Sequence, residues 1–193
     1  MAPLIIISGP SGSGKTTVVA QMLAAAALPL RRAVTATTRP PRVGEVPERD
    51  YHFWTREQFE REIANGGLLE YALVHERDYY GTPRLEVDPY LHCGTGVLLV
   101  IDVQGAAQVR AIYPRCYSIF LRAPDDVYEA RLRDRGDDES AIGRRLMSAK
   151  RELERIHEYN EQLINDQLPD TVQQLETIIA RQFAGRPEVP NAR

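Results

Sequence analysis

The sequence predicts an α/β fold: a parallel sheet core flanked by helices, with an inserted lobe. Three observations carry this. A short apolar run, Leu4 to Ile7, leads directly into the glycine-rich stretch Gly9-Pro10-Ser11-Gly12-Ser13-Gly14-Lys15-Thr16 and then into a helical pattern. Further apolar runs, Val97 to Ile101 and Tyr117 to Leu121, alternate with helical segments, as in sheets whose strands are buried on both faces. Between Arg31 and Pro83 the texture shifts to prolines, glycines and a high density of Arg, Glu and Tyr, which marks an insertion.

Leu4 to Ile7 is too short and too β-branched for a helix and reads as a buried strand. The segment from Lys15 to Ala27 is rich in Ala, Val, Met and Leu, and Pro29 stops it as a helix. Inside the lobe, Thr55 and Gln58 have capping-box spacing for a helix with Phe59 and Ile63 on its apolar face, closed by Gly66-Gly67. Leu68 to Val74 follows as a strand. Arg84 to His92 is expected as a helix, Val97 to Ile101 as a strand, Ala106 to Ile112 as a helix, and Tyr117 to Leu121 as a strand. Asp125 to Arg133 is expected to be helical, and Gly136 to Ser140 is a polar break. Ile142, Leu146, Ala149, Leu153 and Ile156 then form the stripe of a long amphipathic helix. Gln162 to Ile164 is a short last strand and Thr171 to Phe183 a closing helix, with a frayed tail from Gly185. The expected organisation is one domain: core 1–30 and 84–184, lobe 31–83, tail 185–193.

A chain of 193 residues suits one domain with inserted lobes better than two independent ones. With 26% charged and 43% hydrophobic residues it has the composition of a soluble globular protein. Its formal net charge of −3 argues against a binder of duplex nucleic acid, which needs a positive surplus. Cys93 and Cys116 match neither a zinc spacing nor a disulfide scaffold, so a reduced, cytoplasmic setting is expected. No charged segment followed by a long apolar one precedes the glycine-rich loop, so no signal peptide is expected. The longest aliphatic stretch, Val97 to Ile101, is far short of a membrane span.

The spacing Gly9 to Thr16 between strand and helix is that of a P-loop. Glycines at Gly9, Gly12 and Gly14 let backbone amides point inward, and the start of the helix adds its positive end, forming a cradle for phosphate. Lys15 is placed for the β- and γ-phosphates and Thr16 for Mg²⁺. Of the 24 Lys plus Arg residues, only Lys15 and Lys150 are lysines. A chain that otherwise uses arginine keeps a compact ammonium where a phosphate loop needs one.

The lobe carries the second half of the chemistry. Thr35-Ala36-Thr37-Thr38-Arg39-Pro40-Pro41-Arg42-Val43-Gly44-Glu45, followed by Asp50-Tyr51-His52-Phe53, sets two arginines three apart on a proline-stiffened loop suited to a phosphate monoester. With these motifs the chain resembles guanylate kinase, a P-loop nucleoside monophosphate kinase, from the P-loop to the last helix. Glu70, Tyr79-Tyr80-Gly81-Thr82, Ile101-Asp102-Val103-Gln104-Gly105-Ala106, Arg131-Leu132 through Arg135-Gly136, Arg145-Leu146 and Asn165-Asp166 extend the match. The resemblance implies transfer of phosphate from ATP to GMP, and to dGMP, with Mg²⁺ and without a membrane or nucleic-acid partner. Oligomeric state stays open. It implies that Arg39, Arg42, Tyr51 and Tyr80 grip the GMP phosphate and that Thr35, Glu70, Thr82 and Asp102 read the base. It extends the ATP site to Thr17 and Asn165, it makes the segment at about 134–140 a short lid, and it makes Arg131, Arg135 and Arg145 catalytic cations beside Lys15, Arg39 and Arg42. A carboxylate at Glu70 also suits guanine chemically: the pairing edge of guanine offers an N–H and an exocyclic amine, whereas adenine offers a ring acceptor.

The chain departs from the family pattern at four places. Val100 stands where an aspartate is usual, Thr35 where serine is common, Pro47-Glu48 where Asn-Gly is usual, and Glu76-Arg77-Asp78 where a shorter Gly-Asn turn precedes Tyr79. Two alternatives remain open at the level of sequence. One is a binding scaffold of the same fold, against which the intact Lys15 and Thr16 speak; the other is a kinase with a different acceptor, against which Glu70 with Asp102 speaks.

Overall fold

The computed structural model describes residues 2–25, 27–74, 77–124, 127–128 and 139–184. Its centre is a parallel five-stranded sheet made of β1 (Leu4–Ser8), β2 (Leu30–Arg32), β7 (Gly96–Val100), β8 (Tyr117–Arg122) and β9 (Glu161–Ile164), in the order β2-β7-β1-β8-β9. Strand β1 is central and its residues are all buried. Ile5 and Ile7 face α1 (Lys15–Ala25) and α6 (Leu168–Ala184) in a cluster with Val18, Met22, Ile119, Leu175 and Ile179. Leu4 and Ile6 face the other way, into a cluster with Leu91 of α3 (Asp88–His92) and Ala106 and Val109 of α4 (Val103–Ile112). Alternation along one strand thus feeds two cores, which is why the run is apolar without a break.

The lobe holds a second sheet, β4-β3-β6-β5, formed by β3 (Ala36–Thr37), β4 (His52–Phe53), β5 (Leu68–Val74) and β6 (Asp78–Pro83). Helix α2 (Arg56–Ala64) packs on it through Phe59, which is fully buried with Ala36 and Leu68. The expected capping box is present: Gln58 N–H donates to Thr55 Oγ1 at 3.1 Å, and Thr55 N–H donates to Gln58 Oε1 at 2.8 Å. Strand β2 straddles Arg31, the expected start of the lobe, and pairs with β7 in the core sheet. Leu69 of β5 lies in the same cluster as Leu91 and Ala106, so lobe and core share apolar packing.

Several boundaries differ from the sequence expectation. The helix expected over 84–92 is split into a 3-10 turn (Arg84–Glu86) and α3, with Val87 at φ −122°, ψ −63° between them. Pro89 explains the break: it lacks the N–H that a continuous helix would direct at Leu85, and its ring would strike that carbonyl. Helix α4 begins at Val103 rather than Ala106 because Asp102 caps it, accepting from the amides of Gln104 at 2.9 Å and Gly105 at 2.8 Å. Helix α6 begins at Leu168 rather than Thr171, since Pro169 falls in the first turn, where its missing N–H has no intrahelical acceptor anyway. The amphipathic stripe ends with α5 (Glu139–Leu153), and Ile156 sits in a following 3-10 turn. Of the expected helix over 125–133 only Val127 and Tyr128 are described, and the rest of it and most of the expected lid, 134–138, lie outside the described residues. Among the described residues no helix is long and apolar enough to cross a membrane.

Candidate functional site

The carboxyl ends of the parallel strands deliver the candidate residues to one edge of the sheet, as open α/β sheets do. Gly9 to Thr16 follows β1, Asp102 follows β7, and Asn165 follows β9. Three positive φ angles, 139° at Gly9, 90° at Gly12 and 88° at Gly14, wind the loop. Gly9 has a second reason to be glycine: a Cβ there would come within 2.0 Å of the Leu121 carbonyl oxygen on β8. The Lys15 ammonium donates back to the carbonyls of Gly9 at 2.6 Å and Pro10 at 2.9 Å, which poises it over the loop mouth. Thr16 and Thr17 are exposed in the first turn of α1. Asn165 is buried and its amide donates to the Ser13 carbonyl at 2.8 Å, so the side chain expected near adenine braces the loop.

On the lobe, Arg39 is only 9% exposed and is held on all sides. Its guanidinium meets Glu45 in a two-point pair at 2.6 and 2.7 Å, reaches the Tyr80 hydroxyl at 3.1 Å, and lies 5.0 Å from the Tyr51 ring centroid. The Glu45 partner raises the Arg39 pKa, and Arg39 in turn holds the Glu45 carboxyl below its usual range. Tyr51 and Tyr80 meet edge to face, and burial raises the Tyr51 hydroxyl. Arg42 is exposed, with its amide on Glu45 at 2.7 Å. The altered turn at Pro47-Glu48 keeps a left-handed residue, Glu48 at φ 64°, although Glu carries a Cβ. That conformation is unfavourable by roughly 1 kcal/mol. Glu48 N–H donates to the Tyr51 carbonyl at 3.1 Å, and its carboxylate pairs with His52 Nδ1 at 2.5 Å.

Between the two halves lies Glu70. The β5–β6 register sets Glu70 opposite Thr82, so both side chains share one face and the Thr82 hydroxyl donates to Glu70 Oε1 at 2.6 Å. Glu70 is 4% exposed, and burial pushes its pKa up to about 7, with the Thr82 hydrogen bond opposing and the Asp102 charge adding. Thr35 is half-buried and its carbonyl accepts from His52 N–H at 3.0 Å. Glu152 of α5 also feels this centre: burial raises its pKa, Lys15 opposes that, and Asp102 adds to it. Arg131 and Arg135 lie outside the described residues, and Arg145 is described only as backbone of α5.

The structure thus brings together Arg39, Tyr51 and Tyr80, and separately Glu70, Thr82 and Asp102. Three contributors were not singled out from sequence. Glu45 stood in the quoted loop motif without a role, and its spacing from Arg39 was the available signal. Glu152 and Gln108, whose side-chain amide pairs with the Tyr71 backbone beside Glu70, had no local signal, because their contacts cross between elements distant in sequence.

Comparison with known proteins identifies the family. The family described as guanylate kinase matches residues 1–182. A guanylate kinase of Latilactobacillus sakei is 43% identical over 188 residues, covering 96% of this chain and 92% of that protein. Another, from Methylococcus capsulatus, is 43% identical over 181 residues, covering 93% and 88%. Among solved structures, guanylate kinase from Anaplasma phagocytophilum superposes with a TM-score of 0.77 at 28% identity, covering 94% of this chain and 86% of that one. An unliganded sugar kinase from Janibacter sp. shares the fold alone, with a TM-score of 0.53 at 15% identity, covering 97% and 100%.

Proposed function

Since the chain belongs to the guanylate kinase family and phosphorylates GMP with ATP as donor, we propose that the residues described above divide this reaction between two sites. Gly9 to Thr17 hold the triphosphate, with Lys15 on its β- and γ-phosphates. Arg39, Arg42, Tyr51 and Tyr80 hold the GMP phosphate, while Thr35, Glu70, Thr82 and Asp102 meet the base. A phosphate oxygen of GMP attacks the γ-phosphorus in line; the new P–O bond forms as the bond to the β-phosphate oxygen breaks, giving GDP and ADP. No covalent enzyme intermediate is needed, because positioning and cationic stabilisation supply the catalysis.

Burial and pairing make Arg39 a fixed anchor, so the acceptor oxygen starts close to its attack position. Arg131, Arg135 and Arg145, by resemblance, add positive charge around the transferring group. The donor set suits Mg²⁺: the Thr16 hydroxyl is a hard oxygen exposed in the first turn of α1, and no cluster of three or more His, Cys, Asp or Glu forms a cage among the described residues. Mg²⁺ characteristically binds through few protein oxygens plus substrate phosphates, and here it would neutralise the β- and γ-phosphate charge. The donor residues stand on the core and most acceptor residues on the lobe, with Asp102 meeting the base from the core, and dGMP is an acceptor as well, since base and phosphate supply the contacts. The two free thiols, Cys93 and Cys116, fit a reducing cytoplasmic setting.

The observation that carries the acceptor assignment is the buried Glu70 carboxylate, set between Thr82 and Asp102 at the strand ends. The test is ADP formation measured in parallel with GMP, dGMP, AMP, CMP and UMP. GMP and dGMP are expected to turn over and the others to lag by orders of magnitude; absence of turnover with GMP would overturn the reading.

A further inference from the structure

We propose that Gly105 and Gln108, three apart on one face of α4, form the seat that aims the Glu70 carboxylate and thereby set the preference for guanine over a purine lacking the 2-amino group. The proposal rests on the reading that Glu70 meets the base.

Gly105 stands in the first turn of α4, where alanine would favour the helix by about 1 kcal/mol. Its backbone does not require glycine, for it is absent from the glycines with positive φ. Space does require it. A Cβ at Gly105 would lie 2.3 Å from Glu70 Oε2 and 2.9 Å from Glu70 Cδ. The carboxylate has little room to retreat, because Thr82 holds its other oxygen at 2.6 Å and the residue is 4% exposed. Gly105 also donates its amide to Asp102 at 2.8 Å, so one residue sets the spacing of both carboxylates.

Gln108 fixes the strand that carries Glu70. Strand β5 ends the lobe sheet, so among the described residues one of its edges has no strand partner. There the Gln108 side-chain amide takes the place of a strand: Tyr71 N–H donates to Gln108 Oε1 at 3.2 Å, and Gln108 Nε2 donates to the Tyr71 carbonyl at 2.8 Å. Tyr71 adjoins Glu70 in the chain. The two-point clamp therefore holds the backbone next to the carboxylate against the helix whose glycine receives it. Both are positioning residues, acting through Glu70.

The test is steady-state kinetics of the full chain with GMP and IMP as acceptors, which share ribose, phosphate and ring N–H and differ in the 2-amino group. For Gly105→Ala the KM for GMP is expected to rise about 10- to 100-fold, with the KM for ATP changing less than about twofold. The GMP-over-IMP ratio of kcat/KM should fall by about tenfold, because a site built to bond a group loses its discrimination when the bond is misaimed. Gln108→Met, of similar volume, removes both clamp hydrogen bonds and should move both quantities in the same direction by about fivefold. If Gly105→Ala does not fold, as judged by thermal melting, Gln108→Met decides alone. Unchanged ratios, or an equal loss for GMP and IMP, would overturn the seat. A wild-type chain that does not discriminate between GMP and IMP would overturn the base reading of Glu70 and the seat with it, whereas discrimination kept by both variants would overturn the seat alone.

Discussion

Arg39 and Glu45 form a two-point ion pair, with Nη2 to Oε1 at 2.6 Å and Nη1 to Oε2 at 2.7 Å, on a loop whose prolines limit its freedom. Glu45 leaves the Arg39 Nε on Tyr80 and fixes the plane of the guanidinium. Replacing Glu45 by Gln should raise the KM for GMP by about tenfold, leave that for ATP within about twofold, and lower stability by about 1–3 kcal/mol. Kinetics with GMP varied at saturating ATP, together with a denaturant melt, checks both; a larger effect on ATP than on GMP would contradict the assignment.

Lys15 is held over the loop by the carbonyls of Gly9 and Pro10 and is only partly exposed. Lys15→Ala should lower kcat by at least about 10²-fold with little change in the melting temperature, because in the proposed arrangement the lost charge acts on the transferring phosphate rather than on the core. An unchanged rate would remove Lys15 from the reaction.

Glu70 titrates at about 7 in the folded chain because it is buried. A carboxyl whose folded pKa is raised binds its proton more tightly when folded, so its contribution to stability is fully present below the ordinary carboxyl pKa of 4.5 and is lost as pH rises through about 7. The difference corresponds to about 3 kcal/mol. In the proposed site acceptor binding runs the other way, since the guanine donors favour the charged carboxylate. The kcat/KM for GMP should therefore rise by up to about tenfold per pH unit below 7 and level off above it, and Glu70→Gln should flatten the profile. A pH profile from 5.5 to 8.5 with GMP limiting reads this directly; a wild-type profile as flat as that of the variant would contradict it.

Gly9→Ala would drive a Cβ to 2.0 Å from the Leu121 carbonyl oxygen at a backbone φ of 139°. Destabilisation of at least about 3 kcal/mol is expected, with a fall in Tm of roughly 6–12 °C. Asn165→Ala removes the brace on Ser13, and it should raise the KM for ATP several-fold, on the order of 1 kcal/mol, with the KM for GMP unchanged. Thermal melts and ATP-varied kinetics separate the two variants.

The residues by themselves determined the elements whose signals are local. Leu4 to Ile7, the capping box at Thr55 and Gln58, and the strand Leu68 to Val74 could be read directly, because apolar period, cap spacing and glycine stops act within a few neighbours. The phosphate loop was legible for the same reason, and the chain's match to the guanylate kinase family rests on such contiguous motifs. Tertiary structure decided the rest. Strands β3 and β4 have two residues each, too few to show a period, and they exist because Ala36 and Thr37 find partners in His52, Phe53, Tyr80 and Gly81. The start of α4 depended on which way the Asp102 carboxylate turned, toward the helix amides. Glu70 acquires its raised pKa from burial, and Gly105 its reason to be glycine from a carboxylate 35 positions earlier in the chain. Local sequence carries propensity, whereas burial, pairing and close approach belong to residues that meet only once the chain has folded.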